Sequence, residues 1–317
     1  PICDGATATR FPLSETAIGV SGSASGRYPR PRPMLRGPRR PPSPCRLPGD
    51  SGSVLEVAQP TISLVIPIYN GEAFLEESLA AVEAFFDGTG LDAEVIAVDD
   101  GSTDRTPEIL ASRSERRLKV IRLDQNRGKY AALKLGMAAA EGGVRVFTDA
   151  DLPYDLEAIE YAASLLTDEG FHIVVGDRTL PDSERGSDPS PLRRLSTRVF
   201  SFSVRMLVTG ELFDTQVGFK AFRGDVAAAL FPLLTDDGFA GDVELLYIAL
   251  KYNLAIRRIP VRLLRTGPTT VRLAGHSLPM LTRIAGLRRR WAAGVYRSDR
   301  LEAVSSQRYW QRETGAR

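Results

Sequence analysis

Four short apolar runs alternate with segments of helical periodicity between residues 61 and 155, and this alternation limits the folds open to the chain. The runs rich in β-branched residues read TISLVIPIYN, AEVIAVDD, LKVIRLDQN and VRVFTDADLPYD. The segments between them read GEAFLEESLAAVEAFFDG, which we expect to stop at Gly88, TPEILASRSERR and RGKYAALKLGMAAAEG. Strands and helices that alternate through short connections predict an α/β domain with a mostly parallel sheet flanked by helices.

Acidic residues stand where two of the predicted strands end. Asp149 and Asp151 are one residue apart, so an extended backbone points both side chains to the same side. Two convergent carboxylates repel each other unless a cation lies between them. We therefore expect Asp149 and Asp151 to bind Mg²⁺ or Mn²⁺, with a diphosphate completing the ligand shell.

The run VDDGSTD places a second acidic pair at a strand end. Either Asp99 or Asp100 is expected to face a ligand, because carboxylates accept hydrogen bonds from ribose hydroxyls and base N–H groups. Ser102 and Asp104 are expected to cap the helix that follows. Further along, Lys129 begins a predicted helix, and a helix N-terminus with a lysine is suited to bind an anion.

Composition excludes several kinds of site. The chain has two cysteines, Cys3 and Cys45, and two histidines, His172 and His276. These counts disfavour a zinc site and a Ser-His-Asp or Cys-His mechanism. A net charge of +2 with arginine-rich ends fits an anionic surface or substrate better than a nucleic acid.

The chain divides into three predicted parts. The Pro/Arg-rich residues 1–58 are expected to be a disordered tail, because they have too few large apolar side chains to form a core. Residues 59–296 are the predicted folded domain, and residues 297–317 are expected to be a flexible C-terminal tail. No apolar run reaches the roughly 20 residues that a membrane-spanning helix needs.

The second half of the folded domain is less regular. FHIVVGDR and AIRRIPVRLLR are predicted strands, and DTQVGFKAFRGDVAAALFPLL is a predicted turn or strand followed by a helix. DVELLYIALKYN is a predicted helix with an acidic N-cap. Residues 190–210 and 277–296 combine arginines with large apolar residues at helical spacing, so we expect amphipathic helices there.

Seven motifs in this order resemble the family-2 glycosyltransferases of the GT-A fold, over about residues 61–295. They read VIPIYN, VDDGSTD, NRGKYAALKLGM, TDAD, GDR, DTQVGFKAF and DVELLYIAL. The chain looks most like the polyprenyl-phosphate group of that family, in particular the dolichyl-phosphate β-glucosyltransferases. The resemblance implies a GT-A, Rossmann-like fold in which the first motifs hold the nucleotide and the Asp-x-Asp holds the metal and the donor diphosphate.

On this resemblance, the expected residues for the donor and its metal are Pro67, Tyr69, Asn70, Glu72, Asp99, Asp100, Lys129, Asp149, Ala150 and Asp151. One departure weakens the contact with the nucleobase that is expected of Glu72. The family usually has Glu directly after Tyr-Asn, whereas here Gly71 intervenes. A second departure is that TDADLPYD lacks the polar residue often found straight after the second aspartate.

The acceptor decides whether the reaction needs a base. A hydroxyl acceptor would need one, and Asp242 is the best candidate, whereas a phosphate monoester is already anionic and needs cations to hold it. Arg178, Arg193, Arg194 and Arg198 are the arginines expected at such a phosphate. Roles at the sugar or in positioning are expected for the remaining polar candidates, which are Asp214, Gln216, Lys220, Asp242 and Glu244.

The preferred interpretation is an inverting transferase that uses UDP-glucose, or second GDP-mannose, with a polyprenyl-phosphate acceptor. We expect it to lie peripherally on the cytoplasmic face of the membrane, without a nucleic-acid partner. The predicted interfacial side chains are Leu192, Leu195, Val199, Phe202, Met206, Leu281, Ile284, Leu287 and Trp291, with Arg288, Arg289 and Arg290 at the headgroups. The alternatives are a soluble or glycan hydroxyl acceptor, and a non-catalytic module that binds nucleotide sugars.

Overall fold

The computed structural model describes residues 61–180, 183, 217–238, 240–264 and 286–306. Within this part of the chain, strands and helices alternate first and then become less regular. The strands are β1 (Ile62–Ile68), β2 (Ala93–Asp99), β3 (Leu118–Arg122), β4 (Val144–Phe147), β5 (Ile173–Asp177), β6 (Lys220–Arg223) and β7 (Ile256–Pro260). The helices are α1 (Leu75–Thr89), α2 (Thr106–Ala111), α3 (Lys129–Ala139), α4 (Glu157–Thr167), α5 (Gly224–Leu230), α6 (Gly241–Lys251), α7 (helical over residues 286–292) and α8 (Asp299–Ser306).

The strands of this described part form one seven-stranded sheet in the order β3-β2-β1-β4-β6-β5-β7. Only β6 runs against its neighbours, antiparallel to both β4 and β5. The other pairs are parallel, so the predicted mostly parallel sheet is confirmed. The carboxyl ends of β1, β2, β4 and β5 therefore meet at one edge, and β6 begins at that same edge.

The central strands are buried on both faces because helices cover the sheet. Every residue of β2 is buried, and β1 is buried except at the half-exposed Pro67. The edge strand β3 leaves Lys119, Val120 and Arg122 exposed, as an outer strand with one free side does. Continuous apolar runs rather than alternating ones are typical of strands covered on both faces, and they made β1 and β2 readable in the sequence.

Helix ends differ from the predicted ones by local hydrogen bonding. α1 continues past Gly88 to Thr89, and its C-terminus is closed by Gly90 in the left-handed conformation, with φ +64°, whose N–H donates to Phe86 O. α2 ends at Ala111 instead of continuing through SERR. Asp104 Oδ1 accepts the Thr106 N–H, but Arg105 occupies the N-cap position of α2, and Ser102 instead bonds the loop after β1.

The C-terminal region packs into the core more than the sequence predicts. Leu287 of α7 is buried, and Trp291 packs against the rings of Tyr247 and Tyr252. Leu287 therefore packs into the core and not toward a membrane, whereas Trp291 is only partly buried and its expected contact with a membrane stays a prediction. Arg288 and Arg289 are exposed.

Helix α8 lies inside the segment 297–317 that the sequence predicts to be a flexible tail, and it buries Leu301 completely. No helix among the described residues is long and apolar enough to cross a bilayer. Several predictions lie outside the described residues. They are the tail 1–58, the helix 190–210 with its interfacial side chains, Leu281, Ile284, Arg193, Arg194, Arg198, Asp214 and Gln216.

Candidate active site

Two loops join at the carboxyl ends of β1 and β2. Asn70, with φ +51°, donates its N–H to Ser102 Oγ at 2.9 Å and accepts the Thr103 N–H on Oδ1 at 2.9 Å. Gly71 N–H donates to Thr106 Oγ1 at 2.8 Å. These bonds fix the loop after β1 against the loop after β2, while Tyr69 stands 49% exposed beside them.

Glu72 closes the same junction from the outside. Its N–H donates to Asp104 Oδ2 and its Oε2 accepts the Arg105 N–H, both at 3.0 Å. The carboxylate expected to contact the nucleobase thus accepts a backbone hydrogen bond instead. It lies one residue further along the loop than in the family pattern. The insertion of Gly71 accounts for that displacement.

Asp99 and Asp100 both organise backbone at this edge. Asp99 is fully buried and accepts the Ser102 N–H at 2.9 Å. Asp100 accepts the N–H groups of Arg127 and Gly128, one on each oxygen and both at 2.8 Å. Asp100 therefore shapes the turn that leads into α3, and the direct ligand contact expected of one of the two aspartates stays a prediction.

An ion pair between Lys129 and Asp149 lies at the centre of the site. Lys129 is the first residue of α3 and Asp149 follows the end of β4, and Nζ donates to Oδ1 at 2.5 Å. The side chains are 15% and 35% exposed, so both can be reached from solvent. Burial lowers the pKa of Lys129, but the carboxylates of Asp149 and Asp242 raise it by more, so its pKa lies above its usual value and the amine stays charged.

A second charged pair forms the floor beneath the first. Lys220 Nζ donates to Asp242 Oδ1 at 2.5 Å, and Tyr130 OH donates to the same oxygen at 2.7 Å. Lys129 and Lys220 both lie over the Phe147 ring, at 5.7 and 5.2 Å from its centroid. The two lysines thus share one aromatic ring, and each is paired with an aspartate.

Two predicted site residues of this floor are buried. Lys220 and Asp242 are completely or nearly completely buried, because β6 begins beside the end of β4 and α6 covers it. Burial lowers the pKa of Lys220 despite its pairing with Asp242, and it raises the pKa of Tyr130 well above its usual value. Lys220 and Asp242 therefore contact each other and Tyr130 here, and the substrate roles expected of them stay predictions.

The residues for a divalent cation are oxygen donors that suit the ion. Asp149 and Asp151 are both half-buried, Ala150 between them is buried, and Leu152 N–H donates to Asp149 O to form a turn. No group of three His, Cys, Asp or Glu residues that could hold a metal occurs among the described residues. Two carboxylates with remaining positions for water and phosphate oxygens fit Mg²⁺ or Mn²⁺ chemistry.

Glu244 is a third predicted site residue whose side chain has protein partners. It is buried, and its carboxylate accepts hydrogen bonds from the N–H groups of Thr235 and Asp236 and from the hydroxyls of Thr235 and Tyr296. Four protein donors thus engage this carboxylate, and the substrate contact expected of it stays a prediction. Its acidic neighbour Asp242 is not an N-cap either, because α6 begins at Gly241 and Ala240 occupies the cap position.

Arg178 follows β5 at the same edge of the sheet and is half-buried. The preceding Asp177 accepts the N–H and hydroxyl of Thr179 on Oδ1 and the guanidinium of Arg258 on Oδ2. The structure thus fixes the backbone from which Arg178 projects. Arg193, Arg194, Arg198, Asp214 and Gln216 are outside the described residues.

Two important residues were not singled out in the sequence. Tyr130 connects α3 to Asp242, and Gly218 faces Asp149 so closely that a Cβ there would lie 1.8 Å from Asp149 Oδ2. Both stand inside recognised motifs, NRGKYAALKLGM and DTQVGFKAF. The glycine between two large apolar residues was the available signal for a close approach.

Comparison with known proteins adds to this geometry. The family model for glycosyl transferase family 2 matches residues 63–231, more than half of the chain. A dolichyl-phosphate beta-glucosyltransferase from Dictyostelium discoideum is 29% identical over 249 residues, covering 74% of this chain and 76% of that protein. One from Drosophila melanogaster is 34% identical over 218 residues, covering 63% and 66%.

A solved structure has a similar fold. Glucosyl-3-phosphoglycerate synthase from Mycobacterium tuberculosis, in complex with uridine diphosphate, superposes with a TM-score of 0.51 at 25% identity. The match covers 72% of this chain and 80% of that one.

Proposed function

This chain belongs to glycosyl transferase family 2, and from that membership we propose that it transfers glucose from UDP-glucose to a dolichyl or other polyprenyl phosphate. The relatives named dolichyl-phosphate beta-glucosyltransferase support the sugar and the acceptor. The similar synthase bound to uridine diphosphate supports the uracil base. The proposal makes the protein a hexosyltransferase.

The donor is proposed to lie across the carboxyl ends of β1, β2 and β4. The joined loops after β1 and β2 offer the exposed Tyr69 and Asn70 to the nucleoside, and the fully buried Asp99 holds the second loop in place through the Ser102 N–H. Lys129 stands at the N-terminus of α3, where helix dipole and ammonium both attract the diphosphate. Lys129 would exchange its partner Asp149 for a phosphate oxygen while remaining fully charged.

The main requirement of this reaction is to stabilise the negative charge that develops on the leaving diphosphate. The bond between the anomeric carbon and the diphosphate oxygen breaks, and its electron pair stays on the diphosphate. A Mg²⁺ or Mn²⁺ ion held by Asp149 and Asp151 would supply Lewis-acid stabilisation of that charge. Lys129 adds a fixed positive charge in a partly buried setting, where it acts more strongly than in water.

The burial of Asp242 is the observation that carries the acceptor assignment. The carboxylate best placed by sequence to be a base has Lys220 and Tyr130 on one oxygen and is almost completely buried. A hydroxyl acceptor needs such a base, whereas a phosphate monoester attacks with an oxygen that is already anionic. Arg178 is proposed to hold that phosphate through charge-assisted hydrogen bonds. Direct displacement gives a β-linked sugar from an α-linked donor.

A polyprenyl acceptor requires contact with a bilayer. We propose a peripheral position on the cytoplasmic face, with the positive charge of the exposed Arg288 and Arg289 attracting anionic headgroups. Because Leu287 packs into the protein and Trp291 is partly buried, this contact would be mainly electrostatic in the described part of α7.

A donor and acceptor panel tests the proposal. Purified protein is assayed with UDP-glucose or GDP-mannose, with polyprenyl phosphate in vesicles or soluble phosphates and alcohols, and with Mg²⁺, Mn²⁺ or EDTA. We expect turnover with UDP-glucose, lipid phosphate and metal. Preference for GDP-mannose would overturn the donor assignment, preference for an alcohol the acceptor assignment, and full activity in EDTA the metal role. Binding of donor without turnover on any acceptor would indicate a non-catalytic module.

Two variants assign roles within the same assay. Asp151→Asn should reduce turnover at least about a hundredfold, because one metal-binding carboxylate loses its charge. Arg178→Ala should raise KM for the lipid acceptor while leaving KM for the donor nearly unchanged. Arg113→Ala is the matched arginine control, because Arg113 is half-buried like Arg178 and pairs with Glu115 and the Glu76 carbonyl. An unaltered acceptor KM in Arg178→Ala would remove that arginine from the acceptor site.

A further inference from the structure

Glu244 is the most heavily hydrogen-bonded side chain near the site that the reaction does not use. Oε1 accepts the hydroxyls of Thr235 and Tyr296, both at 2.5 Å. Oε2 accepts the N–H groups of Thr235 at 2.9 Å and Asp236 at 2.8 Å. A buried carboxylate with four donors holds together the segments from which those donors come.

One of those segments is the C-terminal region. Tyr296 is buried, donates to Glu244 and also accepts a hydrogen bond from Arg290 Nε at 2.6 Å. Arg290 Nη2 lies 3.6 Å from Glu244 Oε1. Burial and the bond to Glu244 raise the pKa of Tyr296 to about 12, so its hydroxyl remains a donor at neutral pH.

The other segment is the connection before α6, which supports the N-terminus of α3. Asp237 O accepts the Tyr130 N–H at 2.8 Å. Gly128 lies so close that a Cβ there would be 2.4 Å from Asp237 O. Lys134 pairs with Asp237 and donates to Leu234 O at 3.3 Å. The connection 234–238 is therefore the surface against which the first turn of α3, with Lys129, is placed.

We propose that Glu244 is a positioning residue that couples the C-terminal residues 290–296 to the placement of Lys129 in the donor site. The contacts run from Tyr296 through Glu244 to Thr235 and Asp236, and from Asp237 to the first turn of α3. This inference rests on the proposed function only in treating Lys129 as a donor-binding group. The coupling between the two segments stands on the contacts alone.

The chemistry of the carboxylate makes the coupling testable in steps. In Glu244→Gln, the amide oxygen can accept the two N–H groups, and the amide nitrogen can donate to the two hydroxyls, which reorient. In Glu244→Ala, the buried N–H groups of Thr235 and Asp236 lose their acceptor, which is costly. Tyr296→Phe removes one donor and leaves the other three.

The experiment measures amide hydrogen exchange of residues 128–134 and binding of UDP with MnCl₂. Exchange should accelerate at least about tenfold in Glu244→Ala and several-fold in Tyr296→Phe, and remain close to wild type in Glu244→Gln. UDP affinity should fall in the same order. If Glu244→Ala does not fold, Tyr296→Phe and Glu244→Gln decide the matter.

Tyr252→Phe is the matched control. The Tyr252 hydroxyl donates to Tyr296 O and accepts the Ser298 N–H, so it stabilises the same C-terminal region without touching Glu244. Equal exchange of residues 128–134 in the two phenylalanine variants would overturn the proposal. A wild-type protein that does not bind UDP, but whose variants show the expected exchange, would contradict the donor assignment and leave the coupling intact.

Discussion

Asp149 is held on two sides, and each side needs a particular residue. Lys129 binds Oδ1, and Oδ2 faces Gly218, where a side chain has no room. The segment around Gly218 leads directly into β6 and Lys220, so the floor and the carboxylate above it are placed by the same short stretch of chain. Glycine is needed at position 218 because the Asp149 carboxylate lies so close to its Cα, and not because its φ is unusual.

Gly218→Ala is therefore expected to reduce kcat at least about a hundredfold, because displacement of a reacting group by about 1 Å has an effect of that size. Asp149 would have to leave Lys129 to avoid a Cβ at 1.8 Å from its Oδ2. Steady-state kinetics with the donor and acceptor identified by the panel measure the loss.

Gly88→Ala is the control for that substitution. Gly88 lies in α1 and a Cβ there has nothing within 4 Å, so alanine should stabilise the protein by about 0.5–1 kcal/mol and leave kcat unchanged. A Gly218→Ala enzyme with the wild-type rate would show that Asp149 does not need its observed position.

At the scale of elements, apolar runs indicated where the strands lie. They did not indicate which strands pair with each other in the sheet. β1 and β2 are buried on both faces and therefore continuous in apolar character. β6 has four residues, KAFR, and its antiparallel direction follows from pairing with β4 and β5, which no local pattern records. α4 was not singled out, although its buried alanines and leucines recur at helical spacing.

Glu94 joins three strands and is the clearest case of an element-level polar contact. Its carboxylate accepts Ser63 Oγ from β1 at 2.5 Å and the Glu141 N–H at 2.7 Å, and it pairs with Lys119 of β3 at 2.7 Å. Burial raises the pKa of Glu94, but the bonds from Lys119, Ser63 and Glu141 lower it by more, so its pKa lies below 4.5. Ionised Glu94 thus stabilises the sheet.

Glu94→Ala should lower the free energy of unfolding by about 1–3 kcal/mol at pH 7, because the Ser63 hydroxyl and the Glu141 N–H lose their acceptor. The contribution is present above pH 4.5 and is lost as pH falls through the lowered pKa, so the two proteins should converge at acid pH. Urea denaturation at several pH values measures the difference.

Glu83→Ala serves as the comparison, since Glu83 pairs with Arg117 on the surface and should contribute less than about 1 kcal/mol. A Glu94 effect as small as the Glu83 effect would mean that β1, β2 and β3 do not depend on this carboxylate.

At the scale of the whole molecule, the sequence predicted the family and the sheet edge that carries the candidate residues, but not the partners of those residues. The GT-A family resemblance is confirmed, and the edge of the sheet carrying Lys129 and Asp149 is the predicted one. The pairing of Asp242 with Tyr130 joins residues 112 positions apart, and that of Glu244 with Tyr296 joins residues 52 apart. Strand order and burial decide such contacts, and no local sequence pattern records them.

His172 is a buried titratable side chain that lies beside the start of β7 and near the C-terminal helix α8. Its Nδ1 accepts the Ala255 N–H ahead of β7 at 3.0 Å, and the ring is buried. Burial lowers the pKa of His172, and the nearby Arg223 lowers it further, while the Val304 backbone of α8 and Asp225 act in the opposite direction. The folded protein therefore prefers the neutral ring.

Because the pKa of His172 is lowered from 6.5 in the folded state, the unfolded chain binds the proton first as pH falls. Its contribution to stability is complete above pH 6.5 and is lost as pH decreases through the folded pKa. In His172→Asn, the amide oxygen can still accept the Ala255 N–H but nothing titrates. This variant should be less stable than wild type by about 1–2 kcal/mol at pH 8, through lost ring packing. The free energies of unfolding of the two proteins, measured with urea at pH 8 and pH 5, should approach each other at pH 5. An equal difference between them at both pH values would show that the pKa of the buried ring is not lowered by folding.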